Sequence, residues 1–360
     1  MQLTERSSLT GSLPPKHNSP MPEATKSKKD GTSDKWDAKQ FAIRYGFLIV
    51  MAALYLLFSI LEPAFLTWSN QFSILLGIAI YGILALGVTF TLVVDGLDLS
   101  IGSVAALSVM ISSYCMVVLE QGAVISVIIC LLLGALVGLL NGLLIVKMKI
   151  PDLLTTLGMM FLIQGLQLIP SAGRTISEGM LMEDGEEALG FFDPSFLYLG
   201  QGRLFGVIPI PVIVMLVIAL LVYVVLDHTR WGRVMYAIGG NPEATRLAGA
   251  PVNLYRIMAY VISGTIASIG GVLLVARVGV GDITSGTGLL LDAVGAALIG
   301  FAVFGVRRPN PFGTLVGAIF IGVLLSGLTM LSLPYYTQDF IKGGVLVLSL
   351  MFTFALAKRS

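Results

Sequence analysis

The stretch Gln71-Phe-Ser-Ile-Leu-Leu-Gly-Ile-Ala-Ile-Tyr-Gly-Ile-Leu-Ala-Leu-Gly-Val-Thr-Phe-Thr-Leu-Val-Val94 runs for 24 residues without a charge. A helix needs about 20 such residues to cross the hydrocarbon of a bilayer, so this run reads as a membrane span. Similar runs fill the chain on both sides of it. Upstream lies Tyr45 to Leu61; downstream lie Ile101 to Leu119, Ala123 to Val146, Leu153 to Ile169, Val207 to Leu226, Ile257 to Ala276, Leu289 to Val306, Thr314 to Leu333 and Ile341 to Ala357. The ten runs predict an all-α polytopic membrane protein. Composition agrees: 56% of the 360 residues are hydrophobic and 12% are charged, against about 25% charged in soluble domains. A net charge of +1 without a long basic run leaves no footprint for nucleic-acid binding. Cys115 and Cys130 both lie inside apolar runs and read as small buried residues rather than a disulfide framework or a zinc site.

Residues 1–44 differ from the rest. They are rich in Ser, Pro, Lys and Thr, with eight Lys/Arg against five Asp/Glu, a composition that cannot bury enough apolar surface to fold alone. They are also too long and polar for the n-region of a cleaved signal peptide. The expectation is a disordered cytoplasmic tail followed by a transmembrane domain over 45–360. Lys and Arg collect in cytoplasmic loops. With the N-terminus inside, 18 of them fall in inner segments, whereas only Arg174, Arg203 and Arg277 fall outside and Lys342 stands at a helix end. That imbalance predicts an N-in, C-in topology with an even number of spans. It leaves two long loops. The outer one, 170–205, carries Glu178, Glu183, Asp184, Glu186, Glu187 and Asp193; the inner one, 227–255, carries His228, Arg230, Arg233, Glu243 and Arg246.

Gly134-Ala-Leu-Val-Gly138 is echoed by Gly313-Thr-Leu-Val-Gly317, and Asn141-Gly-Leu143 by Ser326-Gly-Leu328. The echoes lie five spans apart, which fits a five-plus-five inverted repeat. The pairs Gly134/Gly138, Gly313/Gly317, Gly270/Gly271 and Gly295/Ala296 are expected to let helices pack closely.

Catalytic motifs are missing. The chain has no Gly-Lys dipeptide and so no Walker A loop, no His-Glu-x-x-His and no Gly-x-Ser-x-Gly. Its two histidines, His17 and His228, do not make a metal site or a proton relay. No catalytic residue and no metal ligand is therefore expected. Polar groups near the membrane are the remaining candidates. Asp95-Gly-Leu-Asp-Leu-Ser-Ile-Gly-Ser103 places Asp95, Asp98 and Ser100 in a link too short to reach far from the bilayer, where ionisable groups are costly and usually functional. Two roles stand open. Asp98 or Ser100 caps the next helix, with Gly96 and Gly102 permitting the turn, or these groups face a translocation path and bond hydroxylated solutes. Asn141 is a further candidate for that path. Asp292 either complements the dipole of its helix or serves as a ligand at the outer mouth. In the inner loop, Asn241 precedes Pro242 and Glu243, which predicts a short capped helix from Pro242 to Leu247 ending at Gly249.

Taken together, these strings resemble the permease subunits of bacterial ATP-binding-cassette importers for simple sugars, of the ribose/xylose/arabinose/galactose type. The resemblance runs from about Tyr45 to the C-terminus. It rests on Asp98-Leu-Ser-Ile-Gly-Ser103, Asn141-Gly-Leu-Leu-Ile-Val146, Ile150-Pro-Asp-Leu-Leu-Thr-Thr-Leu-Gly158, Ala237-Ile-Gly-Gly-Asn-Pro-Glu-Ala244, Leu291-Asp-Ala293 and Gly313-Thr-Leu-Val-Gly-Ala318. It implies a multi-pass protein of the bacterial cytoplasmic membrane, surrounded by lipid. It also implies a second permease subunit (a second copy or a paralogue), a cytoplasmic ATPase that binds the ATP and Mg, and an extracytoplasmic sugar-binding protein. Gly239, Gly240, Asn241, Pro242, Glu243 and Ala244 match the family's ATPase-coupling loop. The chain departs from the pattern at Gly300-Phe301, at Gly305-Val-Arg-Arg-Pro-Asn-Pro311, at Ser326 and in the length of the tail.

Overall fold

The computed structural model of the chain describes residues 38–182, 185–286, 288–302, 308–334, 336–345 and 347, with side chains from residue 47 to residue 300 and again from residue 308. The helices are α1 (Ala38–Leu61), α2 (Trp68–Val93), α3 (Ile101–Ser113), α4 (Ala123–Lys147), α5 (Asp152–Leu166), α6 (Pro194–Gln201), α7 (Ile210–Tyr223), α8 (Arg230–Gly240), α9 (Pro242–Leu247), α10 (Val252–Val278), α11 (Leu289–Ala302) and α12 (Pro311–Met330). One π-helical turn extends α3 over Tyr114–Val118, and another extends α7 over Val224–His228. Residues 336–345 are helical again. The described strands are β1 (Arg203–Leu204) and β2 (Ile208–Pro209), which form a two-residue antiparallel pair.

Seven of these segments are long and apolar enough to cross a membrane: α2, α3 with its π turn, α4, α5 through Ser171, α7 with its π turn, α10 and α12. The chain is an all-α polytopic membrane protein, as helices satisfy their own backbone where no water can. The apolar parts of α1 (Phe47–Leu61) and α11 (Leu289–Gly300) are shorter, and most of the tenth predicted run lies outside the described residues. The predicted tail also lies outside them up to residue 37, but α1 begins at Ala38, so residues 38–44 are helical. The run Ala38-Lys-Gln-Phe-Ala-Ile-Arg44 is made mostly of good helix formers and simply prolongs the apolar helix that follows.

The bundle is organised around α10. Gly134 and Gly138 of α4 bring its backbone against α10 at Gly264 and Tyr260, where any Cβ would collide with carbonyl oxygens. Gly313 and Gly317 do the same for α12 against Gly300 and Ala296 of α11. The expected close packing of small residues is therefore present. The two echoed strings use their glycines on different partners, α10 in one case and α11 in the other. Cys115 and Cys130 are buried and free.

α3 and α11 both begin inside the bundle. Asp98, three residues before α3, bonds Ser263, eleven residues into α10, which sets it roughly 16 Å up that helix at 1.5 Å per residue. From the other end, the segment after α10 descends along α3: Gly281 lies beside Ser113, Gly286 beside Ala106, and Leu290 beside Gly102. The N-terminal ends of α3 and α11 thus meet inside the protein, each preceded by non-helical backbone. Such backbone is tolerated at membrane depth only when protein buries it.

Candidate functional site

At one end of the bundle, between α7 and α10, the chain builds two helices where the sequence predicted one. Thr229 caps α8, its hydroxyl accepting from Gly232 N at 3.3 Å. Gly239 and Gly240 lower helix propensity, yet α8 runs through both before Asn241 breaks it with extended backbone. Asn241 then caps α9. Its Oδ1 accepts from Ala244 N at 2.9 Å, Pro242 occupies the first helical position, and Glu243 pairs with Arg246 at 2.7 Å. Gly249, with φ +87°, ends the turn that follows. Six residues are far too few to form a helix unaided, so these caps hold it. No residue of α9 is buried, and Leu247 is 89% exposed.

α8 joins this exposed helix to the spans. Gly239 sits on the Val93 carbonyl at the end of α2, where a Cβ would not fit. Trp231 packs on Tyr255 of α10 with ring centroids 5.0 Å apart. Tyr236 Oη donates to Pro309 O at 2.8 Å, just before α12. Arg308 lies over the Tyr236 ring at 4.6 Å and reaches Asp227 Oδ1 at 3.3 Å. Burial, reinforced by Asp227 and opposed by Arg308, pushes the Tyr236 phenol up to about 12, so it remains a proton donor at neutral pH. Asn310 caps α12, its Oδ1 accepting from Gly313 N at 2.6 Å, and Thr314 shares a 2.8 Å hydrogen bond with Thr89 of α2.

The sequence candidates between α2 and α3 divide. Asp95 is exposed in left-handed backbone with φ +57°, a conformation Asp tolerates better than most residues. Asp98, Ser100 and Asn141 come together instead, at 1%, 0% and 1% exposure. Asp98 Oδ1 accepts from Ser100 N at 2.9 Å and from Ser100 Oγ at 2.6 Å, and its Oδ2 accepts from Ser263 Oγ at 2.8 Å. Asn141 Nδ2 donates to Ser100 Oγ at 2.8 Å. A carboxylate out of water needs such donors. The same link is held from α5, where Asp152 Oδ2 accepts from Leu97 N at 2.8 Å and Thr156 donates to Leu97 O at 3.3 Å. The pairings of Ser263, Asp152, Tyr236 and Arg308 carried no sequence signal, because their partners stand 55 or more residues away.

Asp292 stands apart from this network. At 8% exposure in the first turn of α11, it pairs with Lys342 at 3.4 Å, and Lys342 pairs with Asp339 at 3.3 Å. The three line a small cleft of about 80 Å³ together with Leu291 and Leu324.

Comparison with known proteins places this architecture. Residues 70–350 match the family described as branched-chain amino acid transport system / permease component. The ribose import permease protein RbsC of Escherichia coli (strain K12) is 34% identical over 317 residues, covering 88% of this chain and 95% of that protein. The L-arabinose ABC transporter permease protein AraH of Azospirillum brasilense is 30% identical over 344 residues, 96% of each chain. The ribose import permease protein RbsC of Bacillus subtilis (strain 168) is 32% identical, covering 86% of this chain and 92% of that protein. No solved structure matches it. The match to residues 70–350 and the length of the shared alignments together show that this chain belongs to the branched-chain amino acid transport system / permease component family.

Proposed function

We propose that the chain is the membrane-spanning permease subunit of an ATP-binding-cassette importer that moves a monosaccharide, pentose, polyol or related small polyhydroxy compound across the bacterial inner membrane. The observation that carries this reading is α9, a doubly capped helix with no buried residue, joined through α8 to α2, α10 and α12, in a chain whose relatives are named as ribose and L-arabinose permeases. In this reading a cytoplasmic ATPase, which binds the ATP and Mg, docks on residues 239–244. An extracytoplasmic sugar-binding protein delivers the solute on the opposite face. A second permease subunit, identical or paralogous, completes the membrane domain, with lipid against the apolar outer faces of α4, α5 and α7.

The α9 face is then cytoplasmic, the topology is N-in and C-in, and α1, α11 and the last predicted run complete ten spans. The matched beginnings of α3 and α11 inside the bundle, meeting N-terminus to N-terminus, support a five-plus-five inverted repeat. ATP binding in the ATPase draws the α9 helices of two subunits together and opens the outer mouth; hydrolysis resets the inward-facing state. The ATPase shifts this equilibrium only through contacts that differ between the two states. Asp95, Asp98, Ser100, Asn141 and Asp292 belong to this reading as polar groups of the translocation region.

The Asp292–Lys342–Asp339 cluster favours a second reading, a self-sufficient secondary transporter or channel for a small polar solute. Reconstitution separates the two. Liposomes holding the purified subunits and loaded with ATP should accumulate a radiolabelled sugar from a panel of ribose, arabinose, allose and galactose, and should lose that uptake without ATP. ATP-independent uptake by the chain alone would establish the second reading.

A further inference from the structure

We propose that Tyr236, Arg308 and Asp227 form a clamp that makes α12, and α11 packed against it, follow the movement of the α8–α9 unit. The proposal rests on the reading of α9 as the ATPase dock. No residue of α9 is buried, so a force on α9 enters the spans through α8 or along the short chain into α10. Gly239 of α8 is seated on the Val93 carbonyl of α2, and Met235 and Ile238 are buried in the core, packing that carries no directional bond. α10 follows α9 directly in sequence. α12 is reached from α8 by directional contacts between residues more than seventy positions apart, Tyr236 Oη to Pro309 O at 2.8 Å and the Arg308 guanidinium 4.6 Å over the Tyr236 ring, while Arg308 to Asp227 at 3.3 Å fastens the same corner to the π-helical end of α7, two residues before α8 begins.

Beyond the clamp the path is stiff. Asn310 caps α12, Phe312 packs edge-on against Tyr223 of α7 with centroids 4.8 Å apart, and Thr314 bonds Thr89. Gly313 and Gly317 then press α12 onto Gly300 and Ala296 of α11. Movement of the 309–311 corner is therefore movement of both helices. Arg308 is half exposed, so its ion pair and its ring contact are individually weak. A clamp of that strength can be made and broken within a transport cycle. Tyr236 and Arg308 are positioning residues, acting on the path through α12 rather than touching solute.

The test follows hydrogen exchange in the whole complex, with its ATPase, with and without a non-hydrolysable ATP analogue. In the wild type, nucleotide should change exchange both in α8–α9 and in residues 308–318. In Tyr236→Phe and in Arg308→Ala, the ATPase should stay bound and the α8–α9 response should persist, while the response of 308–318 falls about threefold or more. Exchanging the charges, Asp227→Arg with Arg308→Asp, should restore part of it. A full response at 308–318 in both single variants, or none there in the wild type while α8–α9 responds, would overturn the clamp. A wild-type complex in which α8–α9 itself ignores nucleotide would instead remove the docking reading, so the two failures are distinct.

Discussion

The α8–α9 unit and the link of residues 94–100 are both short polar interruptions between apolar helices, and they are built in opposite ways. In the first, the caps are local, with Thr229 to Gly232, Asn241 to Ala244 and Glu243 to Arg246 each spanning three residues, and the remote contacts are confined to α8, at Tyr236 and Trp231. In the second they are remote: Asp98 to Ser263 spans 165 residues, Leu97 to Asp152 spans 55 and Ser100 to Asn141 spans 41. α9, with its polar groups paired within itself and no residue buried, can be displaced as a body without unpairing them. A remote network buried in the bundle fixes several helices to one another and loses its donors' partners if any one of them moves. The difference assigns movement to the first region and rigidity to the second.

The strongest way to break that contrast is Asp98→Ala, which strips the acceptor from three buried donors. Buried groups left unsatisfied cost roughly 1–3 kcal/mol each, so the expected loss is about 3–9 kcal/mol, read as a large fall in Tm and in detergent-soluble yield. A variant as stable as the wild type would mean that the network fixes nothing. Next in size is Gly239→Ala. Its methyl group meets the Val93 carbonyl, a backbone atom that cannot step aside, and overpacking of this kind costs about 1–3 kcal/mol. The protein should remain in the membrane while α8 lifts from α2, seen as faster hydrogen exchange in α8; unchanged exchange there would show that the seat is loose.

Asn241→Ala sharpens the comparison from the other side. Loss of an N-cap costs about 1 kcal/mol, and because α9 is buried nowhere, the effect should stay local: roughly fivefold faster exchange in α9 with an unchanged global Tm. A drop in global Tm would tie α9 into the core after all. The smallest effect belongs to Glu243→Gln, which removes an ion pair whose side chains are 53% and 73% exposed. Such pairs contribute about 0–1 kcal/mol, and no change in the exchange of α9 is expected.

The same contrast explains what could be read in the sequence. α9 was legible from its Asn-Pro-Glu start and Gly249, since capping is written into a few consecutive residues. The apolar runs that became α2, α4, α7, α10 and α12 were legible by length, and the glycine pairs by their spacing. α8 was not, because Gly232, Gly239 and Gly240 hide its pattern although Thr229 marks its start. The starts of α3 at Ile101 and of α11 at Leu289 fall where the apolar runs begin, but their depth inside the bundle was not legible. An apolar window reports that a segment is buried, but not where along the membrane normal it becomes helical; that depends on partners such as Ser263 and Gly286, far away in the chain. Asp98, Ser100 and Asn141 could each be singled out, while their union around Ser263 and the anchoring of Leu97 by Asp152 depend on tertiary contact alone.

The docking role of α9 is tested most directly by purifying the tagged chain from its native membrane in mild detergent, beside a Glu243→Lys variant, and identifying the retained subunits by mass spectrometry. The wild type should carry an ATPase with a phosphate-binding loop, and the variant, equally abundant in the membrane, should lose it. A wild-type chain that arrives alone, or a variant that retains the ATPase as well as the wild type does, would contradict the assignment of α9.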